Sequence, residues 1–142
     1  MSLRDHQIVM LVEDNADDER LMIRALGLNG RGTQLIVARS GEQALRFVHG
    51  SAETSLNPSL ILLDLKLGTM SGKDVLKKLR EDERTRSTPV VILTSSDEAS
   101  DISECYDLGA NSYVRKPLDF EEFVDAVRQM EHYWLTVNLV KN

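Results

Sequence analysis

The chain has 142 residues, one cysteine, a formal net charge of -6 and a hydrophobic share of 42%. That length suits one domain with one core, and the acidic balance argues against a nucleic-acid or anionic-membrane surface as the main partner. The single Cys105 excludes an internal disulfide and fits a reducing compartment. No run is apolar enough to span a bilayer and no basic-plus-apolar leader opens the chain, so a cytoplasmic protein is expected.

Gln7 to Val12 reads as an uninterrupted apolar strand ending in Glu13-Asp14-Asn15. Asp17, Asp18 and Glu19 then complement the dipole of a helix that carries Leu21, Met22, Ala25 and Leu26 at helical spacing. Asn29-Gly30-Arg31-Gly32 stops it. Gln34 to Ala38 is a short strand. Ser40, with Gln43 three residues on, opens a helix over Gly41 to His49 that buries Ala44, Leu45 and Val48. Gly50 to Pro58 is a polar loop.

Leu60 to Leu63 runs unbroken into Asp64, the pattern of a strand buried on both faces with a carboxylate at its end. Open α/β sheets place their ligands there; the plainer reading is an aspartate that caps the following loop. Gly68 to Gly72 is loop, and Lys73 to Arg80 is a helix with Val75, Leu76 and Leu79 inward. Glu81 to Thr88 reads as charged and solvated. Pro89 to Leu93 is a fourth buried strand ending in Thr94-Ser95-Ser96-Asp97. Ile102, Cys105, Tyr106 and Leu108 form a thin helical face before Gly109. Without a histidine or basic cluster nearby in sequence, Cys105 reads as a buried small hydrophobe rather than a nucleophile. Ser112 to Arg115 is the last strand, followed by Lys116-Pro117. From Leu118 to about Val140 a long helical pattern places Phe120, Phe123, Val124 and Val127 on the sheet.

Five alternations of strand and helix imply a doubly wound α/β protein with a five-stranded parallel sheet. An order of 2-1-3-4-5 brings Glu13/Asp14, Asp64, Thr94 and Lys116 together near the switch point between the first and third strands. Three carboxylates in one pocket repel, and a hard divalent cation resolves this better than protonation. Mg²⁺ takes carboxylate, carbonyl and water oxygens and commonly leaves a place for a phosphoryl oxygen. Asp64 is then the natural nucleophile for an aspartyl phosphate. Lys116 offers a positive charge and Thr94 a hydroxyl, although most lysines are simply solvated.

Taken together, Glu13-Asp14, Asp64, Gly72, Thr94, Tyr113 and Lys116-Pro117 resemble the response-regulator receiver domains (CheY-like), over about Ile8 to Tyr133. The resemblance implies a flavodoxin-like receiver fold and a phosphorelay protein that accepts phosphate from a histidine kinase on Asp64. It implies Mg²⁺ held by Glu13, Asp14, Asp64 and the backbone carbonyl of Lys66, with Thr94 and Tyr113 as the switch pair. Lys116 is then the phosphate-binding lysine, and the Lys116–Pro117 bond is expected to be cis. Gly68 stands where the family usually has proline, which implies a looser loop. Lys66 and Ser96 occupy positions that in this family tune phosphate loss. Extra length between Asp14 and Asp64 is expected in the Asn29–Thr33 or Gly50–Asn57 loops.

The chain is expected to form one receiver domain over residues 1–142, with a core over about 7–133 and a C-terminal extension over about 134–142. That extension resembles the ending of stand-alone receivers that partner phytochrome-type histidine kinases. Its apolar residues Met130, Tyr133, Trp134, Val137, Leu139 and Val140 have no sheet left to cover, which implies a homodimer; the alternative is a tail folded back on its own domain. No DNA-binding or catalytic domain follows, so a signalling protein rather than an enzyme is expected, with output through binding and no nucleic acid or membrane partner. Rival readings are weaker. A Mg²⁺-dependent phosphotransferase or phosphatase of the haloacid-dehalogenase kind also uses an aspartyl phosphate, but wants an acid two positions after the nucleophile, where Lys66 stands. A flavodoxin-like carrier needs a neutral phosphate loop where this chain is acidic.

Overall fold

The computed structural model describes residues 7–26, 33–51 and 55–139. Its elements alternate as the apolar pattern implies: β1 (Ile8–Val12), α1 (Ala16–Ala25), β2 (Gln34–Ala38), α2 (Gly41–His49), β3 (Leu60–Leu63), α3 (Gly72–Glu81), β4 (Val90–Thr94), α4 (Ala99–Asp107), β5 (Ser112–Arg115) and α5 (Phe120–His132). The strands form one parallel sheet in the order β2-β1-β3-β4-β5. The chain winds outward from β1 to β2 and then returns to β3, so the switch point lies between β1 and β3.

Unbroken apolar strands are needed because both faces of the sheet are covered. Met10, Val12, Ile61, Leu63, Val90 and Ile92 pack on the side of Ala44, Val48, Val75, Leu76, Leu79 and Cys105, from α2, α3 and α4. Their neighbours Val9, Leu11, Leu60, Leu62, Val91 and Leu93 pack on Met22, Ala25, Phe123, Val127 and Met130, from α1 and α5. The period of two along each strand thus feeds two cores. Asn15, Ser40, Ser71 and Asp119 open α1, α2, α3 and α5, each side chain accepting a backbone N–H from three residues on.

Several expectations need correction. The stretch after α3 is not uniformly solvated. Thr85 and Thr88 are buried, and the Thr85 hydroxyl donates to the Leu79 carbonyl at 2.6 Å. Arg80 organises this end of the sheet. Its guanidinium donates to the carbonyls of Gly109, Thr85 and Thr88 and to Asn111 Oδ1, at 2.8–2.9 Å. Asn111 Oδ1 also accepts the N–H of Val90, so Arg80 ties α3 to the starts of β4 and β5. Phe120 is 42% exposed rather than buried, with the Arg24 guanidinium 5.3 Å from its ring centre. Around Cys105, which is buried as expected, Ile102 and Leu108 are half-covered and Tyr106 is exposed.

The end of the chain also differs from a continuous helix. After His132 it makes one π-helical turn over Tyr133–Val137. The wider turn lets Leu135 reach the α1/α5 core, and the Leu135 carbonyl accepts from Gln7 Nε2 at 3.2 Å. Met130 is buried too. The extension is therefore partly folded back, while Tyr133, Val137 and Leu139 stay exposed. Lys116–Pro117 is trans, for no cis peptide bond occurs among the described residues. Trans is the ordinary ground state of such a bond. The stop at Asn29–Gly32, residues 52–54 of the polar loop and Val140 lie outside the described residues.

Removing the Arg80 guanidinium takes a donor from four acceptors, of which the Thr85 carbonyl and Asn111 Oδ1 each keep a backbone N–H. We expect Arg80→Ala to lower unfolding free energy by about 2–4 kcal/mol in urea titrations, with Arg80→Lys restoring only part because one ammonium cannot span the fork.

Candidate functional site

Parallel pairing fixes where the carboxylates stand. Val12 on β1 pairs with Leu63 on β3, so the residues that follow, Glu13 and Asp64, leave adjacent strands side by side. The N–H of Asp64 still donates to the Val12 carbonyl at 3.1 Å, and that of Glu13 to Ala38 at 3.0 Å. With Asp14 they form a set whose carboxylate oxygens lie within 4.8 Å of one another; Glu13 and Asp64 are buried and Asp14 is exposed. Three hard oxygen donors converging from two strand ends, one of them open to solvent, fit a hydrated divalent cation such as Mg²⁺.

Lys116 reaches this set from β5. Two strand spacings separate β5 from β3, roughly 9–10 Å, a span that suits a long lysine stem. Its Nζ lies 2.9 Å from Glu13 Oε2, 2.9 Å from Asp18 Oδ2 and 3.3 Å from Asp64 Oδ2. Burial by itself lowers the affinity of this amine for its proton. Hydrogen bonds to Asp18 and Glu13 and the charge of Asp64 outweigh that, so Lys116 is held above its ordinary value. Glu13 moves the other way for an acid. Burial pushes its carboxyl up to about 7, against the hydrogen bond from Lys116, and Asp64 adds to the rise. The remaining oxygens are oriented by backbone: Asp64 Oδ1 accepts the N–H of Leu65 at 2.7 Å and Glu13 Oε1 that of Asn15 at 3.2 Å.

Glycine makes the approach of α3 feasible. A Cβ on Gly72 would stand 2.2 Å from the Asp64 carbonyl oxygen and 2.7 Å from Leu65 Cα, distances no side chain tolerates. Gly68 has φ +58, a left-handed conformation that proline's ring forbids. The loop after Asp64 is thus built around a glycine turn where a proline would not fit.

Thr94 is buried at the end of β4, and its Oγ1 accepts from the N–H of Ser96 at 3.4 Å. Lys66 is exposed and borders a cleft of about 220 Å³ with Leu65, Ser71, Lys73, Thr94, Ser96 and Asp101. Tyr113 is not among the carboxylates. It lies half-buried on β5, where its hydroxyl donates to the Ser96 carbonyl at 2.9 Å and its N–H to Tyr106 Oη at 3.1 Å. Ser96 Oγ donates to Asp101 at 2.6 Å, and Asp101 pairs with Lys73. A second cleft, of about 280 Å³, opens beside Lys116 between Asp18, Leu21, Ser95, Pro117, Leu118, Phe120 and Phe123. Asp18 escaped the reading of the sequence, where it counted only as an acid in the first turn of a helix. Its position one turn after Asp14, facing the same strand ends, was the available signal.

Residues 9–128 match the model of the response regulator receiver domain family. The chain belongs to this family. It is the receiver domain of a two-component response regulator, and signalling rather than metabolic catalysis is the business of that family. It is 38% identical over 143 residues to a probable methanogenesis regulatory protein, FilR2, of Methanothrix harundinacea, covering 97% of this chain and 90% of that one. It is 35% identical over 136 residues to the response regulator Rcp1 of Synechocystis, covering 94% and 92%. The crystal structure of the phosphorylated cyanobacterial phytochrome response regulator RcpA superposes with a TM-score of 0.90 at 32% identity, covering 96% of this chain and 99% of that one. The Mn²⁺-bound form of Rcp1 does so at 0.87 and 31%, with the same coverage. This receiver domain thus resembles stand-alone, phytochrome-associated regulators along nearly its whole length. No helix among the described residues is long and apolar enough to cross a membrane.

The raised Glu13 carboxyl gives a test of the pocket. Its contribution to stability without metal is complete below its ordinary 4.5 and is lost as pH rises through about 7. Urea midpoints in a chelator should fall across that window in the wild type. Glu13→Gln should flatten the slope.

Proposed function

We propose that this receiver domain accepts a phosphoryl group from a sensor histidine kinase onto Asp64 and signals through the change this makes at its surface. The observation that carries the proposal is the convergence of Lys116 Nζ and three clustered carboxylates on the end of β3. Glu13, Asp14 and Asp64, with the Lys66 backbone carbonyl, would hold Mg²⁺. When bound, the ion offsets negative charge on the pocket and on the group being transferred.

The residues divide the work as follows. Leu65 N–H occupies Asp64 Oδ1, which turns Oδ2 toward Lys116 and the open side of the pocket. Asp64 attacks the phosphorus of a phosphohistidine; an O–P bond forms, the P–N bond breaks, and the imidazole leaves with a proton from solvent. Lys116 donates to a phosphoryl oxygen and balances part of its charge. The Thr94 hydroxyl is the neutral donor on the other flank, and Tyr113 follows it through Ser96, biasing two states of the β4–α4 segment. The kinase is of the phytochrome type in this reading, which the likeness to Rcp1 and RcpA supports. The cleft beside Lys116, rimmed by the exposed Leu118 and Phe120, suits the approach of a helix that carries the donor.

Asp64→Asn keeps the shape and removes the nucleophile. With acetyl phosphate and Mg²⁺, the wild type should gain a labile acyl phosphate and the variant none, while both give the same circular dichroism. Undiminished phosphorylation of the variant counts against the assignment, and continuous turnover of the donor at enzyme rates favours a phosphatase.

The reading includes a homodimer, now narrowed to the residues that the π-helical turn leaves outside. Tyr133, Val137 and Leu139 are exposed on one short segment, with Trp134 edge-on to Tyr133 at 5.0 Å. Apolar side chains gathered in this way suit a two-fold contact. Val137→Asp with Leu139→Asp should give a folded monomer that still accepts phosphate, by light scattering at micromolar concentration. A wild type that is monomeric with and without phosphorylation removes the dimer from the reading.

A further inference from the structure

We propose that Asp18 is a positioning residue that holds Lys116 in the unphosphorylated protein and competes with the phosphoryl group for it. The inference rests on the phosphoacceptor reading of Asp64 and adds a residue to it.

An ammonium has three N–H donors, and Lys116 has three carboxylates within reach: Glu13, Asp18 and Asp64. Glu13 and Asp64 belong to the clustered set that suits a cation, whereas Asp18 does not. A bound cation therefore offsets the charge of the first two and leaves that of Asp18 to Lys116 alone. The three also differ in access to water. The side chains of Glu13 and Asp64 are 2% and 10% exposed, and that of Asp18 is 36% exposed. Water can replace the ammonium at Asp18 at small cost, and at the buried pair only at a large one. Asp18 is the contact that yields.

Asp18 has only a short side chain on a fixed backbone with which to follow. Its N–H is fixed by the Asn15 cap at 3.0 Å, and the next residue's N–H donates to the Asn15 carbonyl at 2.9 Å. When Lys116 turns to a phosphoryl oxygen, the Asp18 carboxylate stays at the cleft wall, and its pair with Lys116 stretches or breaks. That loss opposes phosphoryl retention. The carboxylate also adds negative charge beside an anionic group, which acts in the same direction.

The test measures affinity for beryllium trifluoride, a phosphoryl mimic, by calorimetry at saturating Mg²⁺, in wild type, Asp18→Asn and Asp18→Glu. Asp18→Asn should bind the mimic about two- to fivefold tighter, the range of a partly exposed ion pair at 1.4 kcal/mol per tenfold. Its acyl phosphate should last correspondingly longer. Asp18→Glu should behave as wild type, since it restores the charge. A purely structural role for Asp18 would weaken binding in the amide variant, so equal or weaker binding there overturns the inference. Wild type that takes up no mimic overturns the phosphoacceptor reading itself, and this inference with it.

Discussion

The pairing of one buried ammonium with an excess of carboxylates is the constraint on which the rest of this molecule depends. Lys116 contacts three acids, and Asp14 adds a fourth within the clustered set. One positive charge cannot balance them, and Glu13, the deepest acid, has its proton affinity raised chiefly by burial, with the charge of Asp64 adding to the rise. Such a pocket is stable only if the strands deliver its members from fixed backbone positions. Parallel register does that: β1 and β3 end together, and β5 ends where Lys116 can cross β4. The fold thereby holds an arrangement that the side chains alone would not adopt.

The two ends of the sheet solve the burial of positive charge in opposite ways. At the carboxyl ends of the strands Lys116 is set among acids and is left charge-frustrated. Near the starts of β4 and β5, Arg80 is satisfied by three neutral carbonyls and one amide oxygen. Neutral acceptors complete the geometry of the guanidinium without a counter-charge, and burial lowers its proton affinity without threatening its charge. One end is therefore locked by hydrogen bonds that nothing in the pocket needs to alter. The other keeps charges whose balance changes with any incoming ion. This division lets the pocket respond while the sheet holds its register.

Much of the fold was legible because two-sided burial writes itself as unbroken apolar strands, and because Ser40 announces a helix start with its own side chain; the same caps at Asn15, Ser71 and Asp119 emerge only in the structure. The carboxylate set was legible for the same reason, since Glu13 and Asp64 directly follow strands and Asp14 comes next after Glu13. What escaped depended on contacts between distant residues or on local backbone choice. Asp18 looks in sequence like an acid placed for a helix dipole, and only Lys116, 98 positions away, gives it a partner. Arg80 looks like one more surface charge before a charged stretch. Phe120 fits the helical stripe, yet lies at the rim, where the sheet has ended. The burial of Leu135 rests on a π-helical turn, and a reading at 3.6 residues per turn puts it on another face.

Among the described residues, Ser96 joins Thr94 at the pocket to α4 and β5. Ser96 uses its N–H on Thr94, its hydroxyl on Asp101 and its carbonyl on Tyr113. Asp101 lies on α4 and pairs with Lys73 on α3, and Tyr113 lies on β5, where its N–H meets Tyr106 of α4. A shift of the Thr94 hydroxyl toward the pocket must lose its contact with Ser96 or draw Ser96 along. In the second case it pulls on α3, α4 and β5 together. The Thr94 contact is the longest of the three, at 3.4 Å against 2.6 Å to Asp101 and 2.9 Å from Tyr113, so it is the first to give. Ser96 is thus held more firmly by the outer elements than by the pocket. Under the proposed switch, a stronger pull on Thr94 works against that hold, and the balance between the two would decide how far a change at Asp64 reaches beyond it.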